Sequence, residues 1–145
     1  MNSLFTLNTP CVGICSTVYG DDICRGCKRS SQEVIDWNAY STEAKEEIFQ
    51  RLEARQQKVM ADKIEIIDAA VLEKILIDNQ IRYRSVSHPL CWAFHLLRCS
   101  PKGLVNLESV GIRFKEAYKD YSIKQLFTLI DEELLKLSTE KFPPC

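Results

Sequence analysis

Cys11, Cys15, Cys24 and Cys27 fall within seventeen residues, in the spacing C-x3-C-x8-C-x2-C. Two thiolates a few residues apart on a tight turn can point at one ion while N–H groups of the turn hydrogen-bond the sulfurs, so each pair makes half of a tetrahedral site. Gly13 and Gly26, one inside each pair, are placed to ease the backbone of such turns. Four thiolates around zinc, or around an iron–sulfur cluster, leave excess negative charge, and Arg25, Lys28 and Arg29 stand beside the second pair to offset it. Charge alone does not name the metal.

The stretch through Ser31 carries Pro10, Gly13, Gly20 and Gly26, has a turn at Gly20-Asp21-Asp22 and shows no helical apolar period. A loop scaffold this poor in apolar residues does not fold by burial alone, and modules below about 40 residues usually need metal or disulfides. The chain has seven cysteines, an odd number, and its first ten residues hold no Lys or Arg and too few apolar residues for a secretory signal. A reducing, cytoplasmic setting is therefore expected, where clustered thiols bind metal or do redox chemistry. A redox reading of Cys24-Arg25-Gly26-Cys27 would need a βαβ unit around it, and none surrounds it.

The elements that must position these thiols read as helices. Ser30-Ser31-Gln32-Glu33 has the S-x-x-E capping-box pattern, predicting a short helix to about Trp37. Ser41 is a second N-cap, followed by Ala44, Ile48, Leu52 and Val59 on one face. Ile64, Ile67, Val71 and Ile75, with Leu72 and Leu76 beside them, predict a helix to about Asn79. Residues 80–86 alternate and are rich in β-formers, and Ile81-Arg82-Tyr83-Arg84 is echoed by Ile112-Arg113-Phe114-Lys115. Pro89 suits the first turn of a buried helix through Cys99, and Ser100-Pro101-Lys102-Gly103 breaks it. Leu107, Val110, Phe114, Ala117 and Tyr121 fit a further helix, Ser122-x-x-Gln125 caps a last one, and Phe142-Pro143-Pro144 ends it.

With 145 residues and 46% apolar composition the chain can bury a modest core, and no apolar run approaches the roughly 20 residues that span a bilayer. A soluble protein with no membrane partner is expected. The net charge is −1, yet segment 82–124 holds eight basic against three acidic residues, a local balance of +5. That segment leaves room for an acidic partner, and Tyr83, Trp92 and Phe114 could stack on a nucleic acid, although a solvated face with local ion pairs is the ordinary reading.

Cys91, His95 and Cys99 lie at i, i+4 and i+8 on one helix face, where His88 or Cys145 could join them around a second ion. The outer two would be about 12 Å apart on a straight helix, too far to surround one ion. They read instead as core cysteines around a hydrogen-bonded core histidine. Trp37 can cover the metal site or simply pack its helix. No nucleophile–base pair, phosphate loop, dinucleotide turn or H-E-x-x-H occurs, so catalysis has no positive support.

The run Pro10-Cys11-Val12-Gly13-Ile14-Cys15, then Cys24-Arg25-Gly26-Cys27-Lys28-Arg29-Ser30, Glu33-Val34-Ile35, Trp37, Ser41 and the helix to Arg55 resembles the bacterial domain of unknown function 1289 family. Its members are commonly described as predicted iron–sulfur proteins. The resemblance covers about the first third of the chain, residues 10–55. It implies that Cys11, Cys15, Cys24 and Cys27 are the ligands of one metal centre, tips that centre toward an iron–sulfur cluster rather than zinc, and implies no reaction. Ser30, where the family more often has Thr, and Tyr40, where Met is expected, depart from the pattern without touching a ligand.

The expectation is thus a mostly α protein: a small N-terminal four-cysteine metal-binding loop module with two helices over residues 1–60, then a helical bundle over 61–145, with at most one short β-hairpin. Its expected role is that of a small cytoplasmic accessory or interaction module with a protein partner. Iron–sulfur electron transfer or cluster sensing, and nucleic-acid binding through 82–124, are the alternatives.

Overall fold

Ser30 starts the first helix of the computed structural model, which describes residues 9–11, 16–99 and 107–141. Its hydroxyl accepts the Glu33 N–H at 3.2 Å while the Glu33 carboxylate accepts the Ser30 N–H at 2.9 Å, the reciprocal capping box that begins α1 (Ser31–Asp36). A single 3-10 turn, Trp37–Ala39, leads to Ser41, whose hydroxyl caps α2 (Thr42–Ala61) by accepting the Ala44 N–H at 3.1 Å. Ile48, Leu52 and Val59 are buried along α2, as their spacing predicts, and Phe49 and Met60 join them.

After α2 the expectation of a helix from Ile64 is corrected. Ile64–Ile66 forms strand β1, and helix α3 (Ala69–Asp78) begins only after Asp68, whose carboxylate accepts the Ala70 and Val71 N–H groups. A β-branched, alternating Ile-Glu-Ile serves either period over so short a stretch, and strand pairing decides. The partner is β2 (Ile112–Phe114), antiparallel, with Ile64 opposite Phe114 and Ile66 opposite Ile112. The strands are forty-five residues apart in sequence.

The same pairing removes the helix expected over 107–121, which is two 3-10 turns flanking β2. Gly111 has φ +86, and its carbonyl accepts the Ile67 and Asp68 N–H groups at 2.7 and 3.1 Å. A helix cannot pass through that conformation. Residues 80–86 form no strand. Gln80, at φ 58, ends α3 in a left-handed cap, with the Ile81 N–H donating to the Leu76 carbonyl at 2.9 Å. Ile81, Tyr83 and Arg84 are then buried as irregular chain.

Helix α4 (Pro89–Cys99) starts and stops as predicted and is buried over most of its surface. Helix α5 (Ile123–Lys141) carries the predicted box: the Ser122 N–H donates to Gln125 Oε1 at 2.9 Å and the Gln125 N–H to Ser122 Oγ at 3.1 Å. The expected breaks at 100–103 and 142–144 lie outside the described residues. The main core joins the C-terminal end of α2 to β1, α3, α4, β2 and α5, with Leu72, Leu76, Leu96, Ile112, Leu126 and Ile130 fully shielded. A second, smaller cluster of Trp37, Ile48, Phe49 and Leu52 sits beneath the N-terminal loop. The described residues are mostly α with one two-stranded antiparallel pair, as expected. Among the described residues no helix is long and apolar enough to cross a membrane.

Candidate metal centre

The second cysteine pair sits on a closed loop of backbone bonds. Ile23 bridges Ser30, the Cys24 N–H donates to the Arg29 carbonyl at 2.8 Å, and the Lys28 N–H donates to the Cys24 carbonyl at 2.9 Å. The left-handed residue that lets this chain reverse is Lys28, at φ 69, rather than Gly26. Cys24 and Cys27 are both buried inside the turn. Burial pushes the Cys24 thiol up, but the N–H groups of Cys27, Ser16 and Gly26 outweigh it and bring the thiol down to about 7. Burial raises Cys27 despite the Arg29 guanidinium beside it. At Cys24 the turn N–H groups therefore stabilise negative sulfur, the chemical requirement of a thiolate ligand.

The three neighbouring cations divide their work. Arg29, 4% exposed, donates from Nε to Cys27 Sγ at 3.2 Å and lies 4.9 Å from the centre of the Trp37 ring. Trp37 in turn meets Phe49 of α2 edge-on at 5.7 Å. Trp37 thus reaches the sulfur through Arg29 and packs its helix as well. Lys28, 5% exposed, gives its ammonium to the Arg25 and Gly26 carbonyls of the turn, the latter at 3.1 Å, and to Asp131 of α5 at 2.6 Å. Arg25 is exposed and pairs with Asp21 at 3.4 Å. Of the three, Arg29 is the one that touches a thiol.

Cys24 and Cys27 are two of the four thiols expected to form a donor set, and the lowered Cys24 thiol suits a thiolate ligand. Cys11 is exposed, and its neighbour Pro10 lines the same cavity as Gly26 and Cys27. Cys15, together with Gly13, lies outside the described residues. Among the described residues no three Cys, His, Asp or Glu side chains converge on one point. This includes Cys91, His95 and Cys99. Cys91 is buried against α2, with Sγ 3.4 Å from the Glu53 carbonyl, and its thiol is pushed up to about 12, first by burial and then by the Glu53 charge. Cys99 is exposed. His95 is buried as expected, but its Nδ1 has no hydrogen-bond partner. Burial and the Arg98 charge lower it to about 3, so it is neutral.

Three of the eight basic residues of segment 82–124, Arg84, Arg113 and Lys119, are held in ion pairs. Arg84 is buried, holding Glu46 at 2.5 Å and Glu53 at 3.0 Å beneath a 4.2 Å stack on Phe49. Arg113 faces Glu65 across the strand pair at 4.0 Å, and Lys119 bonds Glu116 at 2.6 Å. Trp92 donates to the Arg84 carbonyl at 3.0 Å and meets Tyr83 edge-on.

The Lys28–Asp131 contact was outside the reach of sequence reasoning, since 103 residues separate the partners. One local signal existed: a lysine just past a C-x-x-C pair can fold back onto the carbonyls of that turn.

Residues 9–56 match the family described as "Protein of unknown function (DUF1289)", so a domain of that family is present over the N-terminal third of the chain. No curated protein and no solved structure matches the chain.

Proposed function

We propose that Cys11, Cys15, Cys24 and Cys27 hold one metal centre in a small cytoplasmic accessory protein that serves a protein partner. The observation that carries this reading is the Cys24–Cys27 turn, where backbone N–H groups and the Arg29 guanidinium are directed at two buried sulfurs. N–H groups that lower the Cys24 thiol favour its metal-binding thiolate form, and Arg29 sets a positive charge against the Cys27 sulfur. The family resemblance favours an iron–sulfur cluster, while paired cysteines on short turns suit structural zinc equally well. A cluster would supply one-electron chemistry or sensing, which is the second reading; zinc would supply folding energy.

Anaerobic purification followed by metal and sulfide analysis and a visible spectrum tests the proposal. One centre per chain is expected, lost when Cys11→Ser and Cys27→Ser are combined. Unchanged metal in that double variant overturns the ligand set, and a colourless, iron-free protein with stoichiometric zinc overturns the cluster. A nucleic-acid partner at 82–124 has less support, because Arg84 is enclosed by Glu46 and Glu53. Saturable binding of single- or double-stranded oligonucleotides at low salt, weakening as salt rises, would restore it.

A further inference from the structure

The loop that bears Cys24 and Cys27 is fastened to the C-terminal helix by a side chain whose bonding depends on the shape of the loop. Lys28 is nearly sealed from water, and a buried ammonium must be paired and hydrogen-bonded to be tolerated. It has three acceptors. Two are the Arg25 and Gly26 carbonyls, which converge only while the turn from Cys24 to Lys28 is closed. The third is Asp131 on α5, 2.6 Å away. The left-handed backbone at Lys28 itself is a conformation a free lysine rarely adopts, so closure of the turn is what aims the ammonium at α5.

Besides Lys28, the loop meets the helices through Arg29, which stacks on Trp37, itself set edge-on against Phe49 of α2. A small cavity lies between loop and bundle, walled by Pro10, Gly26 and Cys27 on the loop side and by Phe49, Phe94 and Leu134 on the bundle side. His95 and Gln56 also line it, and His95 Nδ1 and Gln56 Oε1 are both buried without a hydrogen-bond partner.

We propose that Lys28 is a metal-dependent latch: metal at the cysteines closes the turn, the closed turn presents Lys28 to Asp131, and the loop docks on α5. This deepens the metal-site reading and rests on it. Linkage then requires reciprocity, because a contact made only in the metal-bound form must strengthen metal binding by the same factor by which metal strengthens the contact.

The full-length protein, stripped and reloaded anaerobically with zinc, provides the test. Zinc affinity is measured by competition with a chromophoric chelator, and thiolate ligation is followed with cobalt. Asp131→Asn is expected to bind zinc at least about 5-fold more weakly than the parent, the lower end of ordinary coupling energies. Asp131→Glu should recover part of the loss. Glu132→Gln, an exposed neighbour that removes the same charge, should leave affinity unchanged. Equal affinity in Asp131→Asn and the parent overturns the latch but leaves the metal site standing, whereas a parent that takes up neither zinc nor cobalt overturns the metal site itself. Should Asp131→Asn fail to fold, hydrogen exchange on the parent decides: amides of α5 around Asp131 are expected to slow on zinc loading, and exchange there that ignores zinc overturns the latch.

Discussion

Arg51 of α2 forks onto Glu33 of α1, with its two terminal nitrogens 2.6 and 2.7 Å from the two carboxylate oxygens. The same carboxylate accepts the Ser30 N–H, so one side chain both caps the first helix and anchors it to the second. Burial pushes Glu33 up, but the Arg51 and Ser30 bonds outweigh it and hold it below the ordinary glutamate value of 4.5.

Glu33→Gln is expected to keep the cap but lose the charged fork, lowering stability by ~1–2 kcal/mol. A group whose folded pKa is depressed contributes stability above its unfolded value and loses it as pH falls. The gap between parent and variant in denaturant midpoint should therefore be full at neutral pH and close below about pH 4.5. A constant gap down to pH 3 would show that the fork contributes through shape rather than charge.

Chelation should unfold the cysteine loop and α1 while leaving the bundle intact. Structural zinc in finger peptides contributes ~10–16 kcal/mol of apparent binding energy, which such a loop cannot replace by burial. The main core is built from Val59 and residues that follow it in the chain, none of them in the loop. Hydrogen exchange after metal removal should show protection lost through Trp37 and retained at Leu72, Leu76 and Leu96. Loss at both places together would mean that the loop and the bundle fold as one unit.

Gly111→Ala should be among the most damaging small substitutions in the chain. A Cβ there would lie 2.3 Å from the Asp68 carbonyl oxygen, at a φ that L-residues rarely adopt. The backbone strain alone costs ~1–3 kcal/mol, and the clash falls on main chain that cannot step aside. Thermal unfolding should drop by several degrees at least; a shift under one degree would mean that β2 can slide away from α3 without cost.

His95 gives the fold a second acid sensitivity. Burial, reinforced by the Arg98 charge, holds it at about 3 against an unfolded value of 6.5. The unfolded chain therefore binds more protons between those values, and stability contributed by neutral His95 is complete above 6.5 and lost as pH falls toward 3. Glu53, Arg55, Gln56 and Lys28 share its cavity and stay in place in the comparison. His95→Phe should flatten the pH dependence of the denaturant midpoint across that window, and a parent-like slope in the variant would place the sensitivity elsewhere.

Local chemistry was legible in the sequence because its causes are local. Capping at Ser30, Ser41 and Ser122 depends on residues three positions away, and all three boxes or caps form. The Pro89 helix and its burial follow from composition. The C-x-x-C turn follows from spacing, and residues 9–56 carry the family pattern. What only the tertiary structure decided were the features whose partners are distant. Ile64 and Ile112 each read as helix in isolation and become strands because they meet each other, with Gly111 turned left-handed against Asp68 to allow it. Alternation at 81–84 signalled a strand, yet among the described residues it pairs with none, and the side chains of Tyr83 and Arg84 bond Glu73, Glu46 and Glu53. Lys28 looked like charge compensation for the thiolates and instead spans 103 residues to Asp131. A side chain's neighbours along the chain set its backbone; its neighbours in space set which charge it serves.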